Sequence, residues 1–102
     1  MKDSCVKYLN EQFGGDADVV NEIYAEYVSS LKEKLGEAEA ALQAEEWIKL
    51  DRAAHAIKGN ALSAGDNETA EIAITLRNAA KLQERTEAAQ LIARLRELLG
   101  EL

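Results

Sequence analysis

Residues 17–44 read ADVVNEIYAEYVSSLKEKLGEAEAALQA, and this stretch decides the fold. Its apolar side chains return every three or four positions, which places them along one face of an α-helix. We expect the helix to continue through Gly36, because a single glycine weakens a helix by only about 1 kcal/mol relative to alanine. The stretch therefore predicts one long amphipathic helix with an apolar face formed by Val20, Ile23, Tyr24, Tyr27, Leu31, Leu35, Ala38 and Leu42.

The flanking sequence predicts four more helices, over residues 3–13, 45–64, 67–83 and 87–99. Each of these segments has apolar residues at helical spacing. The third helix along the chain, residues 45–64, has the pattern with the clearest functional consequence. Its expected apolar face contains Trp47, Leu50, Ala54, Ile57 and Ala61. In the first helix, the residues that fall at helical spacing are Val6, Leu9, Gln12 and Phe13.

The boundaries of these helices are marked by residues with known capping roles. The Gly14-Gly15 pair and Gly65 can end helices. The side chains of Asp16, Asp66 and Thr86 can accept hydrogen bonds from free N–H groups at the start of the next helix. Because the connections are so short, neighbouring helices should run antiparallel.

The composition agrees with a helical protein of one domain. The chain has 102 residues, a length that suits a single domain, and it contains no proline to interrupt a helix. No run alternates between apolar and polar residues in the manner of a strand. We therefore predict an all-α fold: an antiparallel up-down four-helix bundle with an additional short N-terminal helix, in one domain over residues 1–102.

Charge and hydropathy exclude several classes of function. The formal net charge of −7 argues against a nucleic-acid-binding protein, which needs patches of Lys and Arg. No segment approaches the roughly 18 continuous apolar residues of a membrane span, and the N-terminal residues lack the apolar stretch of a signal peptide. Cys5 is the only cysteine, so it predicts neither an internal disulfide nor a zinc site. We expect a cytoplasmic, soluble monomer without a metal or cofactor of its own.

One side chain of the third helix is predicted to face away from the core. His55 follows Ala54 by one residue, which turns it about 100° from the apolar face. Residues three, four or seven positions away share the surface of His55. These neighbours are Ile48, Asp51, Arg52, Lys58, Gly59 and Leu62.

This group of residues suits phosphoryl chemistry on the histidine. An imidazole is largely uncharged near pH 7, and its unprotonated nitrogen is a nucleophile. Side chains on a helix lean towards its N-terminus, so Lys58 can reach back towards His55, and a glycine at position 59 leaves the ring open to another protein. We expect Lys58 to support a phosphoryl group, and Asp51 to hold the second ring nitrogen.

The run His55-Ala-Ile-Lys58-Gly59, followed by Gly65, resembles the motif of histidine-containing phosphotransfer (HPt) domains. The resemblance in helix order and spacing extends over about residues 10 to 100. It implies that His55 is phosphorylated on its outward ring nitrogen and that Lys58 supports the phosphoryl group. It also implies that Gly59 admits the partner. From their positions on the helix face around His55, we expect the docking residues to be Arg52, Ile48, Leu62 and Asp51.

The implied partner is the receiver domain of a response regulator or of a hybrid histidine kinase, with a phosphorylated aspartate and its own Mg²⁺. The protein would be a phosphoryl carrier and not an enzyme, since it has no P-loop and no glycine-rich nucleotide motif. Three positions depart from the family pattern. Thr69 replaces a common leucine, Arg77 replaces a common glutamate, and Ala64 is smaller than usual.

Other functions stay open at this point. A similar motif occurs in the phosphoacceptor domain of chemotaxis histidine kinases, where the donor is the ATP-binding domain of the kinase. A helical adaptor that docks to partners without phosphoryl transfer would also use Ile48 and Leu62. A metal-binding bundle or a hydrolase is disfavoured, because the single histidine faces outward and no Ser/His/Asp group or pair of carboxylates is recognisable.

Overall fold

Five α-helices and no β-strands form the structure, a computed structural model that describes residues 1–102. The prediction of an all-α fold is confirmed. No helix combines the length and the apolar character needed to cross a membrane. The helices are α1 (Asp3–Gln12), α2 (Ala17–Gln43), α3 (Trp47–Ser63), α4 (Asn67–Lys81) and α5 (Arg85–Gly100).

The four longer helices enclose one hydrophobic core. Helix α2 packs against α3 and α5, and α4 packs against the same two helices. A cluster of 24 buried residues, rich in leucine and alanine, fills the space between them. The most extensive contact joins α3 and α4, where buried alanines from both helices allow a close approach. Residues that border the α3–α4 contact can therefore touch across it.

Two of the three predicted N-caps are confirmed. The Asp16 carboxylate accepts hydrogen bonds from the backbone N–H groups of Asp18 and Val19, at 3.1 and 3.3 Å. The Asp66 carboxylate accepts one from the backbone of Thr69 at 3.3 Å.

The prediction that Thr86 is the N-cap of the fifth helix is wrong. Helix α5 already begins at Arg85, and its N-cap residue is Glu84, which makes no side-chain capping bond. The reason is that α4 ends in a tight, hydrogen-bonded turn. The Glu84 N–H donates to the carbonyl of Ala79 at 2.9 Å, so the chain is positioned to start the next helix immediately.

Two helix boundaries also differ from the prediction, because residues other than glycine adopt left-handed backbone conformations. Glu45 has φ 54° and Gln83 has φ 55°. Each follows the C-cap residue of a helix and closes a Schellman motif, a role in which glycine is usual. Glu45 therefore belongs to the connection after α2, and Gln83 to the connection after α4.

Of the residues that fall at helical spacing in the first helix, only some are buried. Leu9 and Cys5 are fully buried, whereas Gln12 and Phe13 are exposed. Phe13 lies beyond the end of α1, where Gly14 with φ 66° turns the chain away from the core.

A buried carboxylate attaches the N-terminus to the rest of the protein. Asp66, fully buried between α3 and α4, accepts hydrogen bonds from Lys2 Nζ at 2.7 Å, Tyr27 Oη at 2.6 Å and Thr69 Oγ1 at 2.7 Å. Burial alone would raise the pKa of the Asp66 carboxyl, but these hydrogen bonds outweigh burial and hold the pKa below its usual range. Thr69, one of the departures from the family pattern, is thus a structural hydrogen-bond donor.

Candidate functional site

His55 lies near the middle of α3 with its side chain exposed to solvent. Ala54 and Ile57, on either side of it, are fully buried. This is the orientation that the helical spacing predicts, because the apolar stripe of α3 faces the core and turns position 55 outward. The imidazole is therefore presented on the surface, next to the contact between α3 and α4.

The ring of His55 contacts a residue that the sequence analysis did not assign to the site. Arg77 of α4 places its Nη1 atom 3.0 Å from His55 Nδ1. The Nε atom of the same guanidinium donates to Asp51 Oδ1 at 2.9 Å. Arg77 and Asp51 are both partly buried, with 26% of each side chain exposed, so solvent screens their ion pair only in part. One arginine thus bridges a carboxylate and the imidazole across the α3–α4 contact.

This arrangement corrects the predicted role of Asp51. The Asp51 carboxylate makes no hydrogen bond to His55, since the Arg77 guanidinium lies between the two groups. In the sequence, Arg77 stood out only as a departure from the motif that the chain resembles, a basic residue in place of a common glutamate. The position of Arg77 relative to His55 depends on how α3 and α4 are placed along each other. The identity of one residue does not reveal this placement.

The second ring nitrogen, Nε2, makes no hydrogen bond to the protein, because Arg77 is the only hydrogen-bond partner of the imidazole. Lys58 lies one turn beyond His55 on α3 and is half-buried. It takes part in none of the ion pairs of the structure. Its ammonium group is therefore available to an anion near the ring.

Gly59 leaves open space next to the histidine. The residue is exposed, and a Cβ atom built at this position would meet no other atom within 4 Å. Glycine is therefore not required here by the packing of the protein itself. The glycine weakens the middle of the helix, and the fold itself would accommodate a larger residue at this position.

Large apolar side chains lie exposed along α3 and α4 on both sides of the site. Ile48 is 72% exposed and Leu62 is 46% exposed, as their spacing from His55 predicts. Helix α4 adds Ile74 and, just beyond its end, Leu82, at 45% and 68%. Neither residue was among those predicted for the site, because the sequence does not show which residues of α4 lie next to His55 of α3.

The remaining predicted residue, Arg52, lies on the side of α3 that faces α2. It lines an open groove of about 480 Å³ between these helices, together with Lys34, Glu37 and Lys49. The structure thus brings Arg52 to the edge of the α2–α3 contact, while Arg77 takes the position beside the imidazole.

The model of one protein family, the Hpt domain, matches this chain over residues 22–102. The match includes α3, α4, α5 and most of α2, and therefore every residue of the site. No curated protein and no solved structure matches the chain.

Proposed function

The chain belongs to the Hpt domain family, and we propose on this ground that it is a histidine phosphocarrier of a two-component phosphorelay. In the proposed reaction, His55 accepts a phosphoryl group from an aspartate of a receiver domain and donates it to another. The observation that carries the proposal is the exposed His55, whose Nε2 atom makes no hydrogen bond to the protein, within the motif that Lys58 and Gly59 complete.

The chemistry requires little from the carrier beyond a positioned nucleophile. The lone pair of Nε2 forms a bond to phosphorus while the bond from phosphorus to the aspartyl oxygen breaks, and that electron pair remains on the carboxylate. Donation reverses these events. Phosphoryl transfer depends mainly on positioning and on neutralising charge, so the ammonium of Lys58 is assigned to the phosphoryl oxygens. The Mg²⁺ ion that such a transfer needs would be supplied by the receiver domain.

The surface around His55 suits a protein partner. The open space at Gly59 would admit the edge of the receiver active site, and the apolar side chains of Ile48, Leu62, Ile74 and Leu82 would be covered by it. Asp51 and Arg52 lie on the same helix and would contribute polar contacts at the rim of this interface.

We also propose that residues 1–102 form one domain in which α2 to α5 are an antiparallel up-down four-helix bundle. Each connection between these helices has only three residues, 44–46, 64–66 and 82–84, and one core lies between them. In this proposal the protein is a carrier that is regenerated by its partners, not an enzyme that turns over a substrate. Its cytoplasmic location and its monomeric state stay predictions of the sequence.

A phosphotransfer assay tests the proposed function. The protein and a His55→Gln variant are incubated with a receiver domain that carries labelled phosphate, in the presence of Mg²⁺. We expect label on the wild-type protein alone, with the acid lability and alkali stability of a phosphohistidine. Label on the variant, or an acid-stable product, would contradict the assignment of His55.

One observation favours a second function, that of an adaptor that docks to a receiver without accepting phosphate. Arg77 occupies one nitrogen of the imidazole, and the exposed apolar residues could support binding by themselves. The same assay, together with a measurement of the affinity for the receiver, separates the two functions. An adaptor would bind the receiver with equal affinity before and after the His55→Gln exchange and would take up no label.

A further inference from the structure

In the hydrogen bond between Arg77 and His55, chemistry fixes which group is the donor and which is the acceptor. A guanidinium carries five N–H donors and no acceptor, and it keeps its proton in proteins. His55 Nδ1, which lies 3.0 Å from Arg77 Nη1, must therefore accept the hydrogen bond with its lone pair. A neutral imidazole has one protonated and one unprotonated nitrogen, so in this arrangement the proton of the ring is on Nε2.

This tautomer cannot perform the proposed reaction. A protonated Nε2 has no lone pair to offer to phosphorus, because its electron pair belongs to the aromatic system. Attack through Nε2 requires the proton on Nδ1, and an Nδ1–H group would then face the Nη1–H group of Arg77, donor against donor. The nitrogen that makes no hydrogen bond to the protein is thus the one that the Arg77 contact makes unreactive.

We propose that Arg77 is a positioning residue that holds His55 in a resting tautomer and must leave Nδ1 before the histidine can accept a phosphoryl group. This inference rests on the proposed function, whose nucleophile it concerns. An arginine at this position can only donate a hydrogen bond to the ring, whereas an ionised glutamate could only accept one.

Asp51 supplies the anchor for such a movement. Its carboxylate holds Arg77 through Nε, at 2.9 Å, while the contact with the ring uses Nη1 at the far end of the guanidinium. The Nη1 end can therefore turn away from the ring without loss of the ion pair. A docked receiver with its phosphoryl dianion offers the guanidinium a stronger acceptor than the neutral ring nitrogen.

The proton balance of the transfer follows from this release. Once Arg77 has left, the exposed ring can lose its proton from Nε2 to water and gain one on Nδ1. The Nε2 lone pair then forms the bond to phosphorus, the bond from phosphorus to the donor atom breaks, and its electron pair leaves with the donor. The phosphorylated ring retains the proton on Nδ1, which Arg77 cannot accept.

The first test observes the tautomer directly, with no phosphoryl transfer involved. Proton–nitrogen NMR spectra of the His55 ring, recorded at about pH 8 where an ordinary imidazole is neutral, distinguish protonated from unprotonated nitrogens. We expect the proton on Nε2 alone in the wild-type protein and in Arg77→Lys, which keeps a donor. Arg77→Met should show a mixture of both tautomers, and Arg77→Glu should move the proton to Nδ1. A wild-type ring protonated on Nδ1, or spectra unchanged in Arg77→Glu and Arg77→Met, would overturn the inference.

The second test measures the rate at which His55 accepts phosphate from phosphoramidate, a small donor that brings no docking surface to displace Arg77. We expect Arg77→Met to react roughly tenfold faster than wild type, the effect of removing one charge-assisted hydrogen bond. Arg94→Met, a surface exchange on α5, is the matched control and should react at the wild-type rate. A slower Arg77→Met would show that the arginine assists the transfer and would overturn the inference.

The two tests separate the inference from the proposed function. If neither the wild-type protein nor any variant accepts phosphate, the phosphocarrier proposal fails. The NMR spectra would still decide whether Arg77 fixes the tautomer of His55. If label appears on His55 but the ring is protonated on Nδ1 in the resting protein, the carrier stands and the role assigned to Arg77 is wrong.

Discussion

The Tyr8 side chain of α1 lies directly against the backbone of Gly65, the residue that ends the helix carrying His55. A Cβ atom at position 65 would collide with the Cβ and Cγ atoms of Tyr8, and the backbone there is left-handed, with φ 74°. Gly65 thus has two independent physical reasons to be glycine. Its place in the family motif is explained by structure, whereas nothing in the packing around Gly59 requires a glycine.

Gly65→Ala should destabilise the protein by about 3 kcal/mol, as the sum of left-handed strain and displacement of Tyr8. Urea unfolding measures this change. The matched control is Gly36→Ala within α2, where an added Cβ meets no atom within 4 Å. That exchange should stabilise the protein by about 1 kcal/mol. Equal stabilities of the two variants would contradict the role assigned to Tyr8.

The buried Asp66 carboxylate should make stability depend on acid. Hydrogen bonds from Lys2, Tyr27 and Thr69 overcome the effect of burial and hold the pKa of Asp66 below its unfolded value of about 3.9. The resulting stabilisation is complete above the unfolded pKa and is lost as the pH falls through the folded pKa. Unfolding curves recorded at successively lower pH should show this loss in the wild-type protein. Lys2→Met removes one donor, so its acid unfolding should begin at a higher pH, and an unchanged midpoint would count against the network.

Gly59→Leu should reduce the rate of phosphoryl transfer without reducing the stability of the fold. The leucine enters open space and replaces a poor helix former, so stability should rise by up to about 1 kcal/mol. The same side chain would cover the approach to His55, and we expect transfer from a phosphorylated receiver to fall about 100-fold. Thermal unfolding and the transfer rate are measured on one preparation. Wild-type transfer in this variant would show that no partner comes close to the glycine.

Lys58→Ala should slow phosphoryl transfer about tenfold without abolishing it, because the lysine neutralises charge and does not form the bond to phosphorus. Since the Lys58 ammonium has no ion pair to lose, stability should change little. Lys32→Ala, an exposed exchange on α2, serves as the control for the loss of one positive charge. A rate equal to that of the control would remove Lys58 from the reaction.

Local signals in the sequence were sufficient for most of the fold. The apolar spacing of residues 17–44 predicted α2 as one helix through Gly36, and Asp16 and Asp66 marked two helix starts. The errors occurred where no local signal exists. Glu45 and Gln83 adopt a left-handed conformation that glycine usually supplies, because the next helix must begin within three residues. Thr86 is not a cap for the same reason: α5 begins at Arg85, one residue before it.

The sequence by itself determined that His55 faces outward, one turn before Lys58 and Gly59, because helical periodicity fixes the face of every residue on its own helix. Only the tertiary structure decided which groups reach the ring. Asp51, the neighbour by sequence, is held by Arg77, and Arg77 from another helix makes the contact with Nδ1. Periodicity carries no information on how two helices are placed along each other, and that placement follows from the packing of the alanine-rich α3–α4 contact.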